Sequence, residues 1–226
     1  MPISAKQATQ LTVNRVPDWN PVWSPDGQRL AFYSFRSGNR EIWTMPSGGG
    51  PATQLTRTNE LEAGPVWSPD SRQITFRSER TGDSEIWVID ADGSNARQIT
   101  DDPAGDYGAT WSPDGNWLAF FSNRGGTPRI WRVRAEGGMP ELLSRGPGVS
   151  PVWSADGDEI FFIGQQQRAG HFWALSLKDR TERAITNLTG KRGMIGQQYP
   201  ATDGKYIYFP WRDDVGDIWV MDVGQP

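Results

Sequence analysis

The chain has 226 residues, the size of one domain, and sets 23 Lys and Arg against 27 Asp and Glu for a net charge of −4. With no dominant basic stretch this argues against an electrostatic nucleic-acid binder. Zero cysteines and a single histidine, His171, exclude disulfides, thiolate chemistry and zinc sites built from Cys and His.

In chain order, the opening residues MPISAKQATQ contain no apolar run. No later stretch approaches the ~18 apolar residues that span a bilayer, so a soluble chain without membrane insertion is expected. Gln7-Ala8-Thr9-Gln10-Leu11-Thr12 nearly repeats Pro51-Ala52-Thr53-Gln54-Leu55-Thr56, and residues 7–12 therefore read as an outermost strand with no sheet of its own before it. WSPDG then begins at Trp23 and returns as WSPDS at Trp67, WSPDG at Trp111, WSADG at Trp153 and PATDG at Pro200. The starts lie 44, 44, 42 and 47 residues apart, the length of one four-stranded propeller blade.

Within a unit, Ser-Pro-Asp-Gly predicts a hairpin turn, because Pro presets φ and Gly accepts a positive one. The continuously apolar run that follows, Leu30-Ala31-Phe32-Tyr33 in the first unit, predicts a strand covered on both faces. A polar loop leads to a third strand carrying an apolar-Trp pair: Ile42-Trp43, Ile86-Trp87, Ile130-Trp131, Phe172-Trp173 and Ile218-Trp219. These tryptophans read as packing between blades. A short outer strand closes each of the first four units, whereas the fifth ends on a third strand, Asp217 to Asp222.

The expected fold is therefore all-β: a single domain over residues 1–226, a five-bladed β-propeller of four-stranded antiparallel blades. The blades span about 20–56, 64–100, 108–144, 150–186 and 197–222, and the N-terminal outer strand at 7–12 completes the last and closes the ring. A monomer is expected.

WSPDG, Ser78-Glu79-Arg80-Thr81-Gly82, Glu85-Ile86-Trp87 and Asp90-Ala91-Asp92-Gly93-Ser94-Asn95 together resemble the TolB-type propeller repeat, over almost the whole chain. Members of that family are mostly bacterial and often exported, so the resemblance implies a periplasmic or extracellular setting. The resemblance departs from TolB itself, which has six blades and an N-terminal α/β domain, so TolB's lipoprotein partner is not carried over. Similar propellers precede the catalytic domain of prolyl-oligopeptidase-like peptidases, but this sequence has no G-x-S-x-G nucleophile elbow.

Arg36, Arg80, Arg124 and Arg212 recur at one loop position, with Gln166 in the fourth unit, and Asp18, Glu62 and Asp106 recur five residues before the first-strand Trp. Strand order places both sets on one rim, as a ring of ion pairs or as an anion site. Trp19, Phe35, Tyr107 and Trp211 are aromatics that the repeat does not require, and they suit sugar rings, small apolar molecules or a peptide. The candidate ligand-binding residues are thus Trp19, Phe35, Tyr107, Trp211, Arg36, Arg80, Arg124 and Arg212, with no catalytic residue, metal or cofactor assigned. His171 reads as a solvated strand residue, and Asp26, Asp70, Asp114, Asp156 and Asp203 as turn formers.

The functional expectation is a non-enzymatic binding or protein-interaction module that uses its loop rim and central funnel for a protein segment or a small ligand such as a glycan. One alternative is a carbohydrate-active hydrolase or lyase using Asp18, Glu62 and Asp106, which would need two carboxylates ~5–9.5 Å apart for glycoside hydrolysis. Another is an inert or engineered repeat scaffold.

Overall fold

The Ser-Pro-Asp-Gly segments fold as the hairpin turns their residues dictate. In the first, the Ser24 hydroxyl donates to Asp26 at 2.6 Å and accepts from the Arg29 N–H at 2.9 Å, while Asp26 accepts from the Gln28 N–H at 2.9 Å. Gly27 closes the turn onto the Ser24 carbonyl at φ 71°, and Gly115 and Gly157 do the same at 73° and 78°. In the WSPDS unit Ser71 takes this conformation at φ 62°, and its hydroxyl accepts from the Asp26 N–H of the neighbouring turn. Asp203 lies outside the described residues.

The structure, a computed structural model, describes residues 9–166, 169–186, 194–195, 200–202, 206–212 and 217–222; side chains at 165–166, 169–170, 194–195, 201, 210–212 and 217–222 are not among those described. The first sheet holds β1 (Asp18–Trp23), β2 (Arg29–Ser34), β3 (Glu41–Pro46) and β4 (Thr53–Gln54). The second holds β5 (Glu62–Trp67), β6 (Gln73–Ser78), β7 (Glu85–Asp90) and β8 (Arg97–Gln98), and the third β9 (Asp106–Trp111), β10 (Trp117–Ser122), β11 (Arg129–Arg134) and β12 (Glu141–Leu142). The fourth holds β13 (Gly148–Trp153), β14 (Glu159–Gln166), β15 (Ala169–Ser176) and β16 (Glu182–Ala184). All four are antiparallel meanders in chain order. In the fifth, β17 (Met194–Ile195) and β18 (Ala201–Thr202) both pair with one side of β19 (Tyr206–Arg212), and β20 (Asp217–Asp222) pairs with the other. No helix is present among the described residues.

A recurring [Leu/Ile]-[Thr/Ser] pair explains how each of the first four outer strands is fastened. Past β4, the Leu55 N–H donates to the Ile42 carbonyl at 2.8 Å, and the Thr56 hydroxyl accepts from the Ile42 N–H at 2.9 Å. Ile99 with Thr100, Leu143 with Ser144 and Ile185 with Thr186 make the same pair of bonds to Ile86, Ile130 and Phe172.

Neighbouring sheets pack face to face. Ala31, Ile42, Trp67, Ile74 and Phe76 join the first to the second; Ile86, Val88, Trp111 and Phe120 join the second to the third; Ile130, Trp153, Ile160 and Phe162 join the third to the fourth. Phe161, Phe172, Ile207 and Phe209 join the fourth to the fifth. The landmark tryptophans are pinned by their indole N–H groups: Trp67 donates to the Val22 carbonyl, Trp111 to Val66 and Trp153 to Thr110, at 3.1–3.2 Å. The first copy differs, because Trp23 is 58% exposed against 5% for Trp67 and 8% for Trp111.

Two expectations need amendment. Residues 9–12 form no strand, and the rest of the expected outer strand, 7–8, lies outside the described residues. Leu11 nonetheless packs against Leu30, Phe32 and Met45. His171 is not solvated but 4% exposed, because its strand position is the buried one that Glu41 and Glu85 occupy in other sheets. There the carboxylates accept from Thr56 and Thr100 hydroxyls beneath the outer strand.

Candidate functional site

The inner strands β1, β5 and β9 begin with an acid, Asp18, Glu62 and Asp106, whereas β13 begins with Gly148. In the first three sheets this acid meets the arginine of the following loop: Arg36 to Asp18 at 2.6 Å, Arg80 to Glu62 at 3.1 Å and Arg124 to Asp106 at 2.6 Å. The Nε of each arginine donates to the last serine of the second strand, Ser34, Ser78 or Ser122, at 2.9–3.2 Å. Each guanidinium also lies over the third-strand tryptophan, Trp43, Trp87 or Trp131, at 4.2–5.0 Å. Glu62 and Asp106 have no exposed side-chain surface, and burial pushes both carboxyls above their ordinary pKa although the arginines pull the other way. Asp18 is more open, and hydrogen bonds from Arg36, Ser34, Thr12 and Asn14 outweigh its burial and hold it below the usual value.

One residue further along, the repeat stops. The inner and second strands are paired there as Trp19 with Tyr33, Ala63 with Arg77, Tyr107 with Phe121 and Val149 with Ile163. Immediately beyond, each inner strand bulges, and Asn20, Gly64, Gly108 and Ser150 all adopt φ between 54° and 63°. A bulge bends its strand and re-aims the side chains beside it. Here the four bulges converge on one cavity of about 400 Å³, whose walls include Tyr33, Arg77, Tyr107 and Phe121 together with Arg40 from the loop before β3.

Inside it the Tyr107 and Phe121 rings stack with centroids 5.4 Å apart. Arg77 lies 5.6 Å from the Tyr107 ring and Arg40 5.4 Å from the Tyr33 ring. Arg77 faces Glu79 at 3.4 Å. Among the described residues the Arg40 side chain makes no ion pair or hydrogen bond, and its Nε and that of Arg77 are both buried without a partner. Burial, and then the positive charge of Arg77, lower the pKa of Arg40.

Of the residues singled out from sequence, Tyr107 lines this cavity, and Trp19 shares its strand rung while remaining half exposed. Phe35 sits partly exposed in the loop beside Arg36. Arg36, Arg80 and Arg124 are held in the rim ion pairs. Trp211 and Arg212 lie in β19, opposite Ile195 and Met194, rather than in a loop, and their side chains lie outside those described. Sequence reasoning passed over Tyr33, Arg77, Phe121 and Arg40. The signal for the first three was a column that changes chemistry, Tyr, Arg, Phe, Ile, directly after the uniform Phe32, Phe76, Phe120 and Phe162 of the second strands.

Among the described residues no cluster of three or more His, Asp or Glu is placed to hold a metal. Antiparallel four-stranded sheets stacked face to face, with a cavity lined by their inner strands, define a β-propeller domain. The chain belongs to the TolB β-propeller domain family, whose sequence model matches residues 53–193.

Among solved structures it is similar to TolB from Acinetobacter baumannii, at 22% identity and a TM-score of 0.79 over 96% of this chain and 54% of that one. It is also similar to a protein named as TolB from Agrobacterium tumefaciens, at 26% identity and a TM-score of 0.64 over 73% of this chain and 63% of that one. An oligogalacturonate lyase from Vibrio parahaemolyticus shares the fold at 17% identity and a TM-score of 0.68, over 89% of this chain and 62% of that one. The chain thus spans between half and two thirds of the length of these proteins. No curated protein matches its sequence.

Proposed function

We propose that this domain is a non-enzymatic binding module of the TolB type, receiving a small molecule or protein segment at the central cavity and its mouth. The observation that carries this reading is the divergence of one rung, Trp19–Tyr33, Ala63–Arg77 and Tyr107–Phe121, within sheets that otherwise repeat. A bare scaffold has no need of such divergence, and a ligand that lacks the pseudo-symmetry of the sheets does. The carbohydrate-active alternative is less well supported, since Asp18, Glu62 and Asp106 are each committed to an arginine and none lines the cavity. A thermal-shift screen against sugars, organic acids and short peptides tests the binding reading, because a ligand of the native state raises apparent stability by mass action. Shifts lost in Tyr107→Ala support it; shifts identical in parent and variant for every ligand refute it.

The proposal includes a ring of five blades closed by residues 7–12 along β20. Leu11 and Thr12 support this, because Leu11 stands where Leu55 stands 44 residues later and Thr12 where Thr100 stands 88 residues later. The Leu11 Cδ2 lies 3.5 Å from the point where a Cβ on Gly49 would be, as the Leu55 Cδ2 does for Gly93. Thr12 helps to lower the Asp18 carboxyl, as Thr100 does that of Asp106. Closure would cover Trp23 as the other landmark tryptophans are covered. By the register of Thr53 opposite Thr44, Thr9 would face Val220. The chain has no cysteine, so the pair Thr9→Cys and Val220→Cys reports this directly, with Thr44→Cys and Thr53→Cys as control. A disulfide in both supports closure, and one in the control alone refutes it.

A further inference from the structure

The cavity carries an unbalanced charge. A guanidinium stays protonated at any pH a protein meets, so an arginine drawn out of water must find an anion or bear the cost of its desolvation. On the rim Arg36, Arg80 and Arg124 have each found one. In the cavity, Arg40 and Arg77 stand near enough for mutual repulsion; Glu79 is paired with Arg77 and Glu62 with Arg80, and both reach Arg40 only through space, with no ion pair to it. Two positive charges therefore meet one available negative charge, and two buried Nε–H donors have no acceptor.

The surrounding surface narrows what could supply the missing charge. The stacked faces of Tyr107 and Phe121 form one wall, and Tyr33 lies beneath Arg40. A volume of about 400 Å³ suits a small molecule built on one ring. We propose that the cavity binds a small organic monocarboxylate, its carboxylate entering between Arg40 and Arg77 and its ring lying against the Tyr107–Phe121 wall. A single negative charge balances the site, whereas a phosphate dianion would reverse the imbalance. Carboxylate oxygens match the fork of guanidinium donors, which is why arginine rather than lysine serves such sites. This inference rests on the reading of the cavity as a ligand site and adds the chemical class of the ligand.

The test is calorimetric titration at constant ionic strength with benzoate and glucuronate, each against its neutral counterpart, benzamide and glucose, with inorganic phosphate as a further probe. At least one acid is expected to bind ~10-fold or more tightly than its neutral counterpart and than phosphate. Arg40→Gln and Arg77→Gln should each weaken that acid by a similar factor. Arg40→Gln should also raise the melting temperature of the unliganded protein, since it removes a desolvated, repelled charge; that readout is independent of the ligand. Which acid binds separates an aromatic from a sugar ring. Equal affinity for acid and neutral probe, tighter binding of phosphate, unchanged affinity in both arginine variants, or no acid binding at millimolar concentration would each overturn the inference. If neutral sugars or peptides bind and lose affinity in Tyr107→Ala, the cavity reading survives while the carboxylate inference fails. If no ligand of any class depends on Tyr107, both fail.

Discussion

Neighbouring residues of the same inner strands belong to two regions that behave in opposite ways. Asp18, Glu62 and Asp106 repeat an acid, and with Arg36, Arg80, Arg124 and the tryptophans beneath them they build the same ion pair three times. Trp19, Ala63 and Tyr107, the very next residues, share no chemistry and face partners that are Tyr, Arg and Phe. Successive strand residues point to opposite faces, so one face was free to stay uniform while the other varied. The uniform face holds the sheets in register, and the varied face is where a ligand makes its demands.

The most damaging change should fall on the uniform face. Asp106→Ala removes the nearer and fully buried of the two carboxylates facing Arg124, leaving only Asp102 at 3.7 Å, and about 3 kcal/mol of stability should be lost. Asp18→Ala, whose pair is more exposed, should cost about 1 kcal/mol. Urea denaturation measures both. Cavity binding per folded molecule should survive in each, and a variant that abolishes binding while leaving stability intact would erase the distinction between the two faces.

Tyr107→Ala reverses the pattern. Loss of its stacking on Phe121 should cost about 1 kcal/mol of stability, while affinity for a cavity ligand falls ~10-fold or more. Arg40→Gln should go further and separate the two properties in sign, raising stability slightly, because solvent screens part of this half-buried charge, as it weakens an acidic ligand. Paired melting and titration curves on the same preparations check both.

The smallest effect concerns pH and distinguishes the rim acids from the turn acids at the opposite ends of the inner strands. Hydrogen bonds from Ser24, Ser68, Ser112 and Ser154, and from backbone N–H groups, hold Asp26, Asp70, Asp114 and Asp156 below the ordinary value of 3.8. The unfolded chain takes up those protons first, so the stabilisation is complete above ~3.8 and disappears as the pH falls through the lower folded values. Glu62 and Asp106, raised by burial, have the opposite sign: the folded form holds the proton more tightly, and their contribution fades as the pH rises through their folded values. Replacing the four turn aspartates by Asn should flatten the loss of melting temperature below pH ~4. An unchanged acid limb would show that the turns do not set acid sensitivity.

Much of the scaffold was legible in the sequence because it repeats. Ser-Pro-Asp-Gly specifies a turn by local chemistry, the apolar-Trp pair marks the third strand, and [Leu/Ile]-[Thr/Ser] marks where the outer strand is tied down. The rim ion pairs were legible too, since strand order alone brings Asp18 near Arg36. The cavity was not. Tyr33, Arg77 and Phe121 sit within apolar runs that read as core, and only the bulges at Asn20, Gly64, Gly108 and Ser150 gather them around one space. Arg40 carries no pattern at all, and its importance comes from what it lacks nearby. His171 was misjudged because varied polar residues at one strand position look solvated in sequence, while that position lies beneath the outer strand.

The most direct measurement is a crystal structure of the protein grown with whichever ring carboxylate binds most tightly in titration. The account predicts density in the central cavity, with carboxylate oxygens within hydrogen-bonding distance of Arg40 and Arg77 and the ring against Tyr107 and Phe121. A bound acid found at the turn face or in the rim among Arg36, Arg80 and Arg124, with the cavity holding only solvent, would contradict it.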